Sequence, residues 1–418
     1  MPMEPSRRGA QAERTVLPNG LRIITERLDH VDSVTVGLWV TAGSQDDPPG
    51  FDGMSHLLEH MLFKGTAARS TLEIGRAIDD IGGHVNGFTD RELIHLHAQT
   101  VAEHTQAALE LLFDLLLRSI CAEPDLEREK QVVLQEIAHL EDVPEGWVHE
   151  LLPQTVWAGH ALARPPLGTR ESVASIARDA LLGRLADFGA ADGLLVAAAG
   201  RLDHERVVDI ASRAGEDLSP RGHKPEHNPP GFRPERRLIS RPARQVHFCL
   251  ATPGCSQRDE ARHAFAVLDV ILGSGNSSRL FQEIRENRGL AYSIGSYLQA
   301  YRNAGLFVIS AGVAKENFQL VLDLIESELL RLREQGPSED EVARAKTQLK
   351  VAIALAAEST SFRMQHLAGS EVCWGRTLSL GEIIAGVERV TAEDVGELAR
   401  LAFAGDRQAL VAVGPFTD

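Results

Sequence analysis

Three residues within five positions, His56, Glu59 and His60 in GMSHLLEHMLFKGT (53–66), carry the side chains that metal-assisted hydrolysis requires. Histidines at i and i+4 project from the same face of an α-helix. Two such imidazoles can bind one zinc ion through bonds of about 2.0–2.1 Å. Glu59, at i+3, then falls beside the ion rather than on it, where a carboxylate can take a proton from bound water. The bare pattern is also compatible with an exposed helical turn that binds nothing. A third ligand has to decide, because a catalytic zinc takes three protein ligands and keeps one position open.

The segment PDLEREKQVVLQEIAHLE (124–141) offers one. Leu126, Lys130, Val133, Ile137 and Leu140 recur at helical spacing as one stripe, and Glu129, Val132 and Glu136 form another. Two glutamates thus share a face. Solvated acidic helices show the same spacing, so the segment by itself leaves both readings open.

Taken together, these segments resemble the pitrilysin-type (inverzincin) zinc metallopeptidases, most closely the branch of the mitochondrial processing peptidase and its bacterial relatives. In that family H-x-x-E-H is followed about 76 residues later by a glutamate within a helix, which here reads EREKQVVLQEI and lands on Glu136. The resemblance implies one Zn2+ per chain held by His56, His60 and Glu136, with Glu59 as base and Glu129 supporting the site. Two further segments extend it. In HVNGFTDRELIHLHAQ (84–99), Asn86, Gly87, Phe88 and Thr89 fall on the family's N-A-x-T strand, whose edge pairs with substrate main chain; Gly87 replaces the usual Ala, and Asp90 a usual Ser. In SSRLFQEIRENRGLAYSI (277–294), Arg285 and Tyr292 match a catalytic pair that binds the substrate carbonyl.

The implied activity is zinc-dependent endoproteolysis of unfolded peptides or oligopeptides inside a closed chamber, by a chain that forms homodimers or, alternatively, heterodimers. The competing reading is a non-catalytic or heterodimer partner subunit of a processing-peptidase-like complex. Such subunits lose ligands, whereas this chain keeps all three and the base. Leu272-Gly273-Ser274-Gly275-Asn276 is also too short to be the glycine-rich loop of the non-catalytic subunit.

The elements that must position these residues are legible in part. Ser70 and Glu73 form a capping box ahead of Ile74, Ala77, Ile78 and Ile81, and Gly82-Gly83 ends that helix. A second box, Ser338 and Glu341, opens a helix that runs through Ala357. His84 to Gln99 is rich in strand formers. The alternating strand SVTVGLWVTAG (33–43) matches QVHFCLATPG (245–254), and LLVAAAG (194–200) matches ALVAVG (409–414), at a near-constant offset of about 211–215 residues. The expected fold is therefore α+β, two duplicated α/β-sandwich domains, each a sheet covered by helices; the resemblance adds closure as a clamshell. Composition places the zinc-binding catalytic domain at 1–217, a proline-rich linker at 218–237 and the homologous second domain at 238–418.

Length and charge narrow the partners. At 418 residues the chain exceeds one core. A formal charge of -16, from 43 Lys and Arg against 59 Asp and Glu, disfavours nucleic acid and anionic lipid. No apolar run is long enough for a membrane helix. The polar amino terminus and four scattered cysteines read as cytoplasmic. His95 and His97 share a strand face; they are read as surface or substrate-side histidines, a second metal site being the other possibility. Gly273-Ser274-Gly275 lacks the lysine of a phosphate loop.

Overall fold

The computed structural model describes residues 12–220 and 227–416, which fall into two compact units. Six strands form the first sheet: β1 (Glu13–Val16), β2 (Arg22–Arg27), β3 (Ser33–Val40), β4 (His84–Thr89), β5 (Ile94–Val101) and β6 (Leu194–Gly200), in the order β1-β2-β6-β3-β5-β4. Five form the second: β7 (Arg236–Ser240), β8 (Val246–Pro253), β9 (Ala291–Ala300), β10 (Gly305–Val313) and β11 (Ala409–Gly414), in the order β7-β11-β8-β10-β9. Strip β1 from the first and the two orders correspond. In both, the first pair is parallel (β2 with β6, β7 with β11) and the other pairings are antiparallel. The two sequence matches map onto this equivalence, since β3 corresponds to β8 and β6 to β11. The duplication expected from four short segments is a duplication of topology.

The central strands are apolar on both sides, as β6 shows: every one of its seven residues is buried. A sheet of this kind needs cover on two faces. On one face of the first sheet lie the helices α1 (Met54–Leu62), α2 (Thr71–Asp80), α3 (Thr105–Arg118) and the start of α4 (Glu123–Asp142), packing Leu58, Met61, Leu112 and Val133 against Val36, Leu38 and Leu96. The opposite face is closed by the helix Thr360–Trp374, whose Met364, Leu367 and Ala368 meet Ile24, Trp39, Leu195 and Ala197. The second sheet repeats the arrangement with α5 (Pro144–Val156), whose Val148, Leu151 and Leu152 meet Cys249, Ala251, Val308 and Val411.

Neither unit is thus one stretch of chain. The first comprises Met1–Ile137, Pro165–Glu226 and Ala356–Leu378; the second comprises Ala138–Arg164, His227–Leu355 and Ser379–Asp418. This corrects the boundaries drawn at 1–217 and 238–418. Composition locates the bulk of each unit but not the single helix that each sheet takes from the other half of the sequence to cover its second apolar face. Of the linker 218–237, residues 221–226 lie outside those described, and Arg236 already opens β7.

Helix Thr360–Trp374 is held by charge as well as by packing. Glu371, only 2% exposed, accepts two hydrogen bonds from Arg14 at 3.1 and 3.0 Å and lies 3.6 Å from Arg22. Arg363 reaches the buried Glu26 at 2.6 Å. Both capping boxes form: the Ser70 hydroxyl accepts from Glu73 N while the Glu73 carboxylate accepts from Ser70 N, and Ser338 with Glu341 does the same before Glu339–Ala356. His84 to Gln99 is not one strand but a hairpin. The Asp90 carboxylate accepts from Glu92 N and Leu93 N and turns the chain between β4 and β5. Among the described residues, no helix is long and apolar enough to cross a membrane.

Candidate metal centre

The helix that carries the histidines is fixed at its start. Gly53 has φ +87°, and a Cβ there would sit 2.6 Å from the Leu167 carbonyl oxygen, so glycine is required both for the turn and for the close approach. The Asp47 carboxylate accepts from Ser55 N at 3.1 Å and from Ser55 Oγ at 2.5 Å, capping the first turn of α1. Arg184, buried beside them, donates to Ser55 Oγ and to the Gly43 carbonyl, each at 3.1 Å. With Leu57, Leu58, Met61 and Leu62 turned into the core, His56, Glu59 and His60 are left on the opposite face.

Helix α4 brings Glu136 to that face. Its Oε2 lies 3.8 Å from His56 Nε2 and 3.7 Å from His60 Nε2. Both spans are shorter than twice a zinc–ligand bond of about 2.0–2.2 Å, so Glu136 Oε2 can share one cation with either imidazole. Oε2 of Glu136 is shielded from solvent and takes no hydrogen bond from any described residue, even though the side chain as a whole is 40% exposed. A buried carboxylate oxygen left facing two imidazoles fits a cation. Among the described residues, His56, His60 and Glu136 are the one group of three potential ligands whose donor atoms lie within 4.8 Å of one another.

The surrounding groups keep the ligands in metal-binding form. Burial, reinforced by neighbouring His60, lowers His56 to about 4, so its ring is neutral at pH 7 and offers a lone pair. His60 Nδ1 lies 3.1 Å from Glu129 Oε2, and Lys64 Nζ lies 2.8 Å from Glu129 Oε1. Burial works against the Glu129 charge, yet the hydrogen bonds from Lys64 and His60 outweigh it and hold the carboxyl below its ordinary range. An ionised Glu129 accepts a hydrogen bond from His60 Nδ1–H, which keeps the proton on Nδ1 and leaves the Nε2 lone pair free for metal. Glu129 thus meets His60 at Nδ1, while Glu136 approaches the same ring at Nε2. Lys64 was not anticipated, although its spacing of four residues from His60 would have placed it on the same side of the chain.

Glu59 sits in the same recess. Burial raises its pKa, and a hydrogen bond from Thr89, then the proximity of His60, partly offset that. The donor is Thr89 Oγ1, 2.6 Å from Glu59 Oε2. β4 is the edge of its sheet. Gly87 and Thr89 face α1, with Gly87 opposite Leu96 and Thr89 opposite Ile94, while Asn86 and Phe88 face away toward His97 and His95. Asn86 is exposed and Phe88 is 51% exposed, which leaves them available to a ligand.

His95 and His97 make no second metal site among the described residues. His95 stacks on Trp39 at 4.1 Å and 15°, with Phe88 and His97 each 5.4 Å away, and burial with the neighbouring His97 lowers it to about 4. It serves as an aromatic packing residue.

Arg285 and Tyr292 belong to the second unit, where the structure puts them side by side. Residues Phe281–Glu286 form a π-helical turn, a geometry that recurs at functional sites. The Arg285 guanidinium carbon lies 4.9 Å from the Phe281 ring centre and 5.6 Å from that of Tyr292, which is 81% exposed. Arg285 also lines a cavity of about 370 Å3 together with Glu145, His149, His247, Asn276 and Phe281.

Comparison with known proteins agrees with this architecture. Residues 22–170 match the family described as insulinase (peptidase family M16), and residues 175–349 match the peptidase M16 inactive domain. The chain belongs to peptidase family M16. It is 39% identical over 414 residues to an uncharacterized zinc protease of Streptomyces coelicolor, spanning 97% of this chain and 90% of that one. With an uncharacterized zinc protease of Bacillus subtilis it shares 35% identity, over 96% of this chain and 98% of the other. Two solved structures share the fold. A peptidase M16 inactive domain from Pseudomonas fluorescens superposes with a TM-score of 0.91 at 20% identity, covering 97% of this chain and 98% of that one, and a protease from Helicobacter pylori with 0.89 at 19%, covering 97% and 100%.

Proposed function

We propose that this chain is a zinc endopeptidase in which His56, His60 and Glu136 hold the metal and Glu59 carries the proton. One observation bears most of the weight: a single oxygen, Glu136 Oε2, approaches both imidazole Nε2 atoms within 3.8 Å and has no other partner among the described residues. When bound, zinc would lower the pKa of a water to about 7 and polarise the scissile carbonyl. The chain's own residues do the rest. Glu59, with its pKa raised by burial, accepts the water proton and returns it to the departing amine. Arg285 and Tyr292 donate hydrogen bonds to the carbonyl oxygen as its charge develops. The open edge of β4, Asn86 to Thr89, receives an extended peptide by strand addition, which reads main chain and tolerates varied sequence.

Because the two donor residues belong to the second unit, this reading asks both units to enclose the peptide. We infer a closed chamber that admits unfolded peptides and oligopeptides, one Zn2+ per chain, and a homodimer, with a heterodimer as the alternative assembly. Cytoplasmic residence accords with four cysteines that are all buried and form no disulfide. Metal analysis of the purified chain, followed by digestion of a mixed peptide library with and without chelator, tests the reading. About one zinc per chain and chelator-sensitive internal cleavage are expected; a chain that binds no zinc and cleaves nothing would favour the partner-subunit reading.

A further inference from the structure

Helix α1 is held along one side by apolar packing and at its start by a buried ion pair. Arg184, on the helix Arg178–Phe188, and Asp47 are both buried, with Arg184 Nε 3.8 Å from Asp47 Oδ1. Ser55, fully buried, bridges the two charges: its hydroxyl donates to Asp47 Oδ1 at 2.5 Å and accepts from Arg184 Nη2 at 3.1 Å. Replacing such a pair by apolar residues of similar volume is often neutral or stabilising, so stability alone is a poor reason for it. Direction is a better one. Apolar contacts are non-directional and let a helix slide or turn about its axis, whereas charge-assisted hydrogen bonds fix both. Ser55 is the second residue of α1 and immediately precedes His56. Whatever fixes Ser55 therefore fixes His56 and, one turn later, Glu59 and His60.

The same guanidinium reaches a second element. Arg184 Nη2 also donates to the Gly43 carbonyl at 3.1 Å. The chain at Gly43 lies against the turn that follows β4. A Cβ on Gly43 would meet the Arg91 carbonyl carbon and Glu92 N at 2.5 Å, Ser44 N donates to the Asp90 carbonyl at 2.9 Å, and Gln45 N donates to the Arg91 carbonyl at 3.0 Å. We propose that Arg184 is a positioning residue that sets helix α1 against strand β4. This rests on the reading of His56 and His60 as zinc ligands and of β4 as the edge that seats the peptide. In this role Arg184 acts through Ser55 and Gly43 rather than by touching metal or substrate. No local pattern announces it, since 129 residues separate Arg184 from Ser55.

The test uses the full chain as wild type, Arg184→Gln, Ser55→Ala and Glu371→Ala. Zinc affinity is measured in competition with a chelator, kcat and KM on an internally quenched peptide that the wild type cuts, and Tm and crystal structures on the metal-free proteins. Ser55→Ala leaves both charges in place and paired, so it decides the matter if Arg184→Gln, which strands Asp47, does not fold. Glu371→Ala breaks a buried ion pair on the opposite face of the same sheet and controls for lost stability. Zinc affinity should fall roughly 10- to 100-fold in Arg184→Gln and about 3- to 10-fold in Ser55→Ala, with kcat down by similar factors, and stay within about 2-fold of wild type in Glu371→Ala. In metal-free Ser55→Ala, α1 should be shifted against β4 by about 0.5 Å or more, beyond the tolerance within which such sites keep their geometry. Wild-type zinc affinity in Ser55→Ala, with only Tm lowered, would mark a structural role and overturn the proposal. So would an equal loss of affinity in Glu371→Ala, or an α1 that has not moved in the metal-free crystals. A wild type that takes up no zinc defeats the metal reading instead, and the crystals still decide separately whether Arg184 and Ser55 place α1 against β4.

Discussion

The carboxylate of Glu129 is divided between two cationic or proton-bearing partners, Lys64 at 2.8 Å and His60 Nδ1 at 3.1 Å, so the orientation of one candidate zinc ligand is set by a residue that does not reach the metal side of its ring. Replacing Glu129 by Gln removes the charge that holds the Nδ1 proton. Zinc affinity should fall about 10- to 100-fold in Glu129→Gln, and by a smaller factor in Lys64→Met, in competition titrations against a chelator of known strength. Unchanged affinity in both would show that Nδ1 is oriented by something else.

Loss of a ligand has a thermal signature. Zinc at 100 times its dissociation constant should stabilise the wild type by about 2.7 kcal/mol. The corresponding rise in Tm on adding zinc should vanish in His56→Ala and in Glu136→Ala. A persistent rise in Glu136→Ala would place the third ligand elsewhere.

Glu59 stands beside the proposed ligands His56, His60 and Glu136 and is not part of that group of three. Glu59→Gln should therefore keep about one zinc per chain while kcat falls by roughly 10²- to 10⁴-fold. Substantial hydrolysis by that variant, freed of wild-type contamination, defeats the assignment.

Two buried imidazoles give the metal-free protein a predictable response to acid. His56 and His95 are each lowered from the ordinary value of 6.5 to about 4 by burial. Below pH 6.5 the unfolded chain takes up protons at both positions while the folded chain does not, so stability drops as pH falls from about 6.5 to about 4 and levels off beneath that. Each group can contribute roughly 3 kcal/mol across the window. Urea denaturation of the chelated protein should show a declining midpoint over that range, with a shallower decline in His95→Asn; an identical slope in the variant would remove His95 from the account.

Glu371 holds Arg14 and Arg22 to the helix Thr360–Trp374 from a site that is 2% exposed. Taking away Glu371 strands Arg22, whose side chain is 17% exposed, but leaves the 43%-exposed Arg14 to water, so the cost lies toward the low end of the about 3–5 kcal/mol of a fully buried pair. Glu371→Ala should lose stability of that order in denaturant titrations, well beyond the effect of breaking the exposed pair Arg288–Glu283. Comparable losses from both would argue that Glu371 does not anchor the helix.

Much of this was written in short-range pattern. The 3.6-residue turn of a helix suffices to bring His56 and His60 to one face, Ser70 and Ser338 announce their helices through capping, and the alternation in β3 and β8 identifies them as strands whichever way they pair. Asp90, too, carried a local signal for the β4–β5 turn that the run of strand formers obscured. These features depend on neighbours within about four residues, and the sequence alone determines them. The family resemblance extended the reading to Glu136, because a ligand at long range leaves no periodic trace of its own. Three-dimensional packing decided the rest. Only the folded chain turns Glu136 Oε2 toward both imidazoles, presents Thr89 to Glu59 across a strand and a helix, pairs Lys64 with Glu129, and draws Thr360–Trp374 under the first sheet and Pro144–Val156 under the second. The reason is physical: apolar burial is indifferent to sequence distance, so which helix covers a sheet, and therefore which charged groups are carried inward with it, is settled by the fit of whole surfaces rather than by any local code.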